Sequence, residues 1–142
     1  MANGPSLTEA NPQSRVLYDR TIASGTTPQL NIKVEEKSIS GVAGLLITTK
    51  SARDNVILLY THGGGYVVGS ANGYKNYVAK LVLQTNINAF VPNYSLAPES
   101  VFPEANNQLI DVYNKLKKDY RDIIIVGDSA GGTSSNFNKS SY

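Results

Sequence analysis

An α/β fold built on a mostly parallel sheet with crossover helices is what this sequence predicts, and three observations predict it. Apolar runs of strand length alternate with segments of helical periodicity. Two of those runs, Val56 to Thr61 and Ile123 to Val126, lack the apolar/polar alternation of a half-exposed strand, as expected where both faces of a sheet are covered. Both then empty into glycines, which lets the chain turn sharply at a strand end.

Taken in order, residues Met1 to Asn11 are turn-rich. Pro12 to Ser24 carries Val16, Leu17 and Ile22 with Arg15 and Arg20 and reads as a short helix stopped by Gly25 and Pro28. Ile32 to Ile39 begins with strand alternation, Gly41 marks a turn, and Val42 to Thr49 is a second strand. The polar stretch Ser51 to Asn55 leads into the central strand Val56 to Thr61. Tyr74, Tyr77, Val78, Leu81 and Val82 fall on one face of a helix from Asn72 to Gln84, where the tyrosines read as packing residues. Ile87 to Tyr94 is the next strand, closed by a loop through Pro98 and Pro103. A helix from Glu104 to Lys118 follows, with Leu109, Ile110, Val112, Tyr113 and Leu116 inward, and then the strand Ile123 to Val126. From Thr133 the chain is polar and poor in helix formers, so a helix is not expected there.

Chemistry concentrates after the two unbroken strands. Gly127-Asp128-Ser129-Ala130-Gly131 has the pattern Gly-x-Ser-x-Gly, which places a serine hydroxyl at the apex of a strand-to-helix corner with a helix N-terminus behind it. Alone the pattern is weak, arising by chance in roughly one chain in twenty at ordinary glycine content. His62-Gly63-Gly64-Gly65 is far rarer, roughly one chain in a thousand. The two fit one machine: backbone N–H groups of the glycine loop can stabilise the oxyanion that a serine nucleophile creates.

Composition narrows the alternatives. The 142 residues are 41% hydrophobic and 17% charged, which suits one globular unit. Lys and Arg number 13 against 11 Asp and Glu, with no basic cluster longer than Lys117-Lys118, so nucleic acid is not an expected partner. There is no cysteine and only one histidine, so neither a thiolate nor a histidine-rich metal site is expected. No cofactor is implied. No apolar run approaches a membrane span, and the polar N-terminus lacks the features of a secretory signal, which makes the cytoplasm the default expectation.

His62-Gly63-Gly64-Gly65, Tyr94, Leu96-Ala97-Pro98-Glu99, Phe102-Pro103 and Gly127-Asp128-Ser129-Ala130-Gly131-Gly132 together resemble the hormone-sensitive-lipase-like esterases of the α/β-hydrolase fold. The resemblance runs from about Ile32 to about Gly132 and implies the first half of that family's domain, the C-terminal half being absent. On this basis residues 1–30 form an N-terminal segment that is either part of a cap or an ordinary docking helix. Residues 31–132 form the half-domain, and 133–142 a divergent tail. The resemblance implies Ser129 as nucleophile, with Gly63, Gly64, Gly65 and Ala130 as oxyanion donors and His62 orienting the glycine loop. It makes Asp128 a supporting carboxylate, for which a helix N-cap is the plain alternative. Glu99 is expected to accept hydrogen bonds within the proline-containing loop. Asn93 and Ser95 stand where the family more often has aspartate and arginine, so any salt bridge made there is lost.

The expected triad order is serine, acid, histidine. After Ser129 the sequence contains no Asp, Glu or His. Three readings follow: a carboxylic-ester hydrolase lineage whose truncated chain is inactive, a non-catalytic protein binding a small ester or apolar carboxylic ligand, or a truncated product without function. An apolar strand at 123–126 with an unpaired edge is also expected to promote self-association.

Overall fold

The computed structural model describes residues 11–134, with the side chains of 133 and 134 excepted. Helix α1 (Pro12–Ser24) starts where Asn11 accepts a hydrogen bond from the Ser14 N–H at 2.8 Å, with Pro12 in the first helical position, and ends at Gly25. Its buried side does not follow its most apolar residues. Val16 and Leu17 are largely exposed, while Ser14, Tyr18 and Ile22 face the body of the protein.

Strands β1 (Lys33–Ile39) and β2 (Val42–Thr48) form a hairpin in which Ile39 faces Val42. Ser40 and Gly41, both at positive φ, make the two-residue turn that suits the twist of such a pair. Next come β3 (Val56–Thr61), α2 (Ala71–Thr85), β4 (Ala89–Pro92), α3 (Glu104–Asp119), β5 (Asp122–Gly127) and the short α4 (Ala130–Ser134). The strand expected from Ile87 to Tyr94 keeps only its centre on the ladder, although Ile87 and Tyr94 are buried at its ends.

The sheet order is β1-β2-β4-β3-β5. The parallel part is β4-β3-β5, and the hairpin joins it antiparallel through β2. Both faces are covered. Val56, Leu58 and Tyr60 pack with Tyr74, Val78 and Val82 of α2, while Ile57 and Leu59 pack with Val112 and Leu116 of α3. Among the described residues β5 pairs only with β3 and forms one edge of the sheet. No described helix is long and apolar enough to cross a membrane.

The polar segment after Gly132 departs from expectation at its start, since α4 continues to Ser134. A turn already begun at the serine corner carries the helix on for a few residues despite weak propensity. The remainder, 135–142, and residues 1–10 lie outside the described residues.

Candidate functional site

Thr61 pairs with Gly127 in the parallel ladder, so the loops that follow β3 and β5 leave the same edge of the sheet side by side. Their contact is close. A Cβ on Gly131 would stand 1.9 Å from the Thr61 carbonyl oxygen, so only glycine lets the start of α4 lie against the end of β3. The Thr61 hydroxyl uses that proximity, donating to the Gly131 carbonyl at 2.8 Å.

Ser129 occupies the corner between β5 and α4 with φ of 50° and is exposed. Left-handed backbone at a non-glycine residue is uncommon and costs about 1–3 kcal/mol, which the packed surroundings must sustain. Across from it runs the loop Gly63 to Gly69. Gly64, Gly65 and Tyr66 are consecutive positive-φ residues at 121°, 62° and 63°. A Cβ on Gly64 would collide with the Val68 carbonyl oxygen at 2.1 Å, whereas one on Gly65 would meet nothing within 4 Å. Gly65 therefore borders open space.

Asp128 joins the two loops. Its Oδ1 accepts from the Gly63 N–H at 2.9 Å and from the Tyr60 hydroxyl at 2.8 Å, and its Oδ2 accepts from the Tyr74 hydroxyl at 3.0 Å. The carboxylate is thus committed to the glycine loop and to two tyrosines rather than to the helix that follows. Burial, and then the hydrogen bond to Asp128, push the Tyr60 hydroxyl above its usual range, so it stays a donor. Burial first, then the bond to Tyr18, does the same for Tyr74. Gly63 thus gives its N–H to Asp128.

His62 is 1% exposed. Its Nδ1 lies 2.7 Å from the Gly63 carbonyl and so carries the proton, while its ring stacks on Tyr94 at 4.4 Å between centroids. The Tyr94 hydroxyl donates to the His62 carbonyl. Burial lowers the imidazole below its usual range, outweighing the hydrogen bond to Gly63. Among the described residues no hydrogen bond joins His62 to Ser129, and its Nε2 is buried without a partner.

Glu99 lies apart from this cluster. Arg15 of α1 grips its carboxylate with two bonds of 2.9 and 2.8 Å and also donates to the carbonyls of Val67 and Ala97, each at 2.9 Å. One arginine thereby ties α1 to both the glycine loop and the proline-containing loop. From sequence Arg15 was read only as part of a helix, Tyr60 as part of the central strand and Tyr74 as a packing residue. The one available signal was Tyr60 itself, an aromatic hydroxyl after four aliphatic residues of its strand. No group of three or more potential metal ligands occurs among the described residues.

A family model described as the alpha/beta hydrolase fold matches residues 58–135. The chain is 33% identical over 107 residues to a versiconal hemiacetal acetate esterase of Emericella nidulans, covering 74% of this chain and 37% of that protein. It is 32% identical over 103 residues to an esterase of Acinetobacter venetianus, covering 70% and 34%. The crystal structure of an esterase from the bacterial hormone-sensitive lipase family superposes with a TM-score of 0.83 at 29% identity, over 94% of this chain and 45% of that one. A hormone-sensitive lipase from a metagenome library gives 0.82 at 27% identity, over 96% and 45%. The chain spans about a third of the length of the curated relatives it matches.

Proposed function

The chain belongs to the α/β-hydrolase fold family, whose members similar to it are esterases and lipases, and on that premise we propose that it carries the nucleophile and oxyanion donors of a carboxylic-ester hydrolase site. The Ser129 hydroxyl oxygen attacks the ester carbonyl carbon, the acyl–oxygen bond breaks, and the alcohol leaves with a proton while the acyl group stays on serine. Water then releases the acid. The N–H groups of Gly64, Gly65 and Ala130 stabilise the oxyanion, each contributing roughly 10²–10³ in rate if it behaves as such donors do elsewhere. Gly63 serves instead by fastening the loop to Asp128.

The observation that carries this reading is the exposed Ser129 at φ 50°, beside a glycine loop whose Gly65 faces unfilled space. A serine hydroxyl is nearly inert until a base accepts its proton. The chain's single histidine is buried and bonded into the glycine loop. By itself, then, the chain assembles the electrophile-polarising half of the site and turns over poorly, retaining at most about 10³–10⁴ over water from donors and binding.

Imidazole supplied in solution tests the proposal by standing in for the absent base. With p-nitrophenyl acetate as substrate, nitrophenol release above the imidazole-only background is expected to rise with imidazole concentration and to vanish in Ser129→Ala. Equal release by both proteins would overturn the nucleophile assignment.

A further inference from the structure

We propose that the cavity beside Tyr66 receives the hydrocarbon arm of the ester whose carbonyl is held at Ser129, a proposal that rests on the reading of Ser129 above. The cavity measures about 420 Å³, within the range of small-molecule sites, about 300–1,000 Å³. Ala97, Val101, Phe102, Pro103, Ala105 and the Tyr66 ring make its lining mostly apolar, with Ser95, Ser100 and Asn106 as its polar part.

Tyr66 makes the connection to the serine corner. It follows Gly65 directly, its hydroxyl donates to the Ala130 carbonyl at 3.0 Å, and its ring borders the cavity. One residue is thus a wall of both spaces. The opposite wall is fastened to the same loop, because the Ala97 N–H donates to the Tyr66 carbonyl at 2.7 Å and Arg15 holds the Ala97 carbonyl. The cavity and the oxyanion donors therefore keep a constant spacing.

Val101 and Phe102 are 73% and 84% exposed. Large apolar side chains held so far out of a loop whose neighbours are well anchored offer surface that an apolar ligand can cover. Nothing charged lines the cavity, so a hydrocarbon chain enters without desolvating an ion. A carboxylate or ester head at Gly65 with its chain running past Tyr66 is the arrangement these features favour.

Straight-chain alkanoates from acetate to decanoate, the acid products of such esters, probe it without any chemistry. Affinity is expected to tighten up to about fourfold for each methylene that becomes buried, then level off when the cavity is full, with amide shifts at Tyr66, Val101 and Phe102. Val101→Arg and Phe102→Asp change exposed side chains and so spare the fold. Each is expected to flatten the chain-length dependence. Affinity independent of chain length, an unchanged dependence in both variants, or shifts confined to other parts of the molecule would each overturn the proposal. Chain-length dependence without imidazole rescue would instead leave the hydrocarbon site standing and remove the nucleophile reading; rescue without chain-length dependence would do the reverse.

Discussion

Strands β3 and β5 are both apolar runs that deliver a loop to the candidate site, yet β3 buries all six of its residues whereas β5 leaves Asp122 and Ile124 exposed. Charge accounts for Asp122, but composition does not account for Ile124. β3 lies between β4 and β5 with α2 and α3 on its two faces, and among the described residues β5 is paired on one side only. The loops inherit the difference. The one after β3 is bound by Asp128, Tyr94 and the His62 ring, while Ser129 after β5 has its side chain in solvent. Rigidity is placed where an oxyanion would need pre-set donors, and accessibility where a nucleophile would need substrate.

Substitution in the two strands should expose the contrast most strongly. Leu59→Ala in β3 is expected to cost about 2–5 kcal/mol, as for a fully buried leucine, and Ile124→Ala in β5 less than half of that. Urea denaturation of both variants measures it. Similar losses would mean that β5 is as well covered as β3 and would break the comparison.

Removing the tie between the loops has a smaller effect. Asp128→Ala leaves the hydroxyls of Tyr60 and Tyr74 and the Gly63 N–H without their acceptor, for an expected loss of about 1–3 kcal/mol. Amide exchange should quicken at Gly63, Gly64 and Gly65 more than in β4. Uniform exchange changes would show that Asp128 supports the whole sheet rather than the glycine loop.

The smallest expected effect is on pH dependence. Because burial lowers the His62 pKa in the folded state, the unfolded chain binds the proton more readily. Stability is then full above the unfolded value of about 6.5 and falls as pH drops through the folded value, with a slope of at most about 1.4 kcal/mol per pH unit. His62→Gln should flatten the profile below about pH 6.5, since no other histidine is present. A slope that survives the substitution would assign the titration to another group.

Much of this was legible in the sequence. The breakers Gly25 and Pro28, the turn at Gly41, and the apolar runs at Val56 and Ile123 locate their elements because local chemistry decides them. Gly-x-Ser-x-Gly and His-Gly-Gly-Gly likewise mark the two loops that the parallel pair β3-β5 brings to one edge. What was not legible is long-range. Nothing near Arg15 in sequence announces Glu99, 84 residues on, and nothing near Tyr60 or Tyr74 announces Asp128. Val16, Leu17 and Ile22 marked a helix without saying which side it buries, and α1 docks through Tyr18 and its hydroxyl contact with Tyr74 at 2.9 Å while Val16 and Leu17 stay exposed. Helical spacing identifies a face without saying which neighbour will meet it.

The central claim, that Ser129 is held as a nucleophile against the donors of the glycine loop, is tested most directly by Ser129→Cys. The chain has no other cysteine, and a thiolate attacks esters without needing a base to activate it. With p-nitrophenyl acetate above neutral pH, a burst of one nitrophenol per chain is expected, faster than that of a cysteine placed at exposed Ser51, and slowed in Ser129→Cys/Gly65→Val, where the added side chain occupies the open space and strains the loop at its φ of 62°. A burst no faster than that of the Ser51→Cys control, or one indifferent to Gly65→Val, would contradict the account.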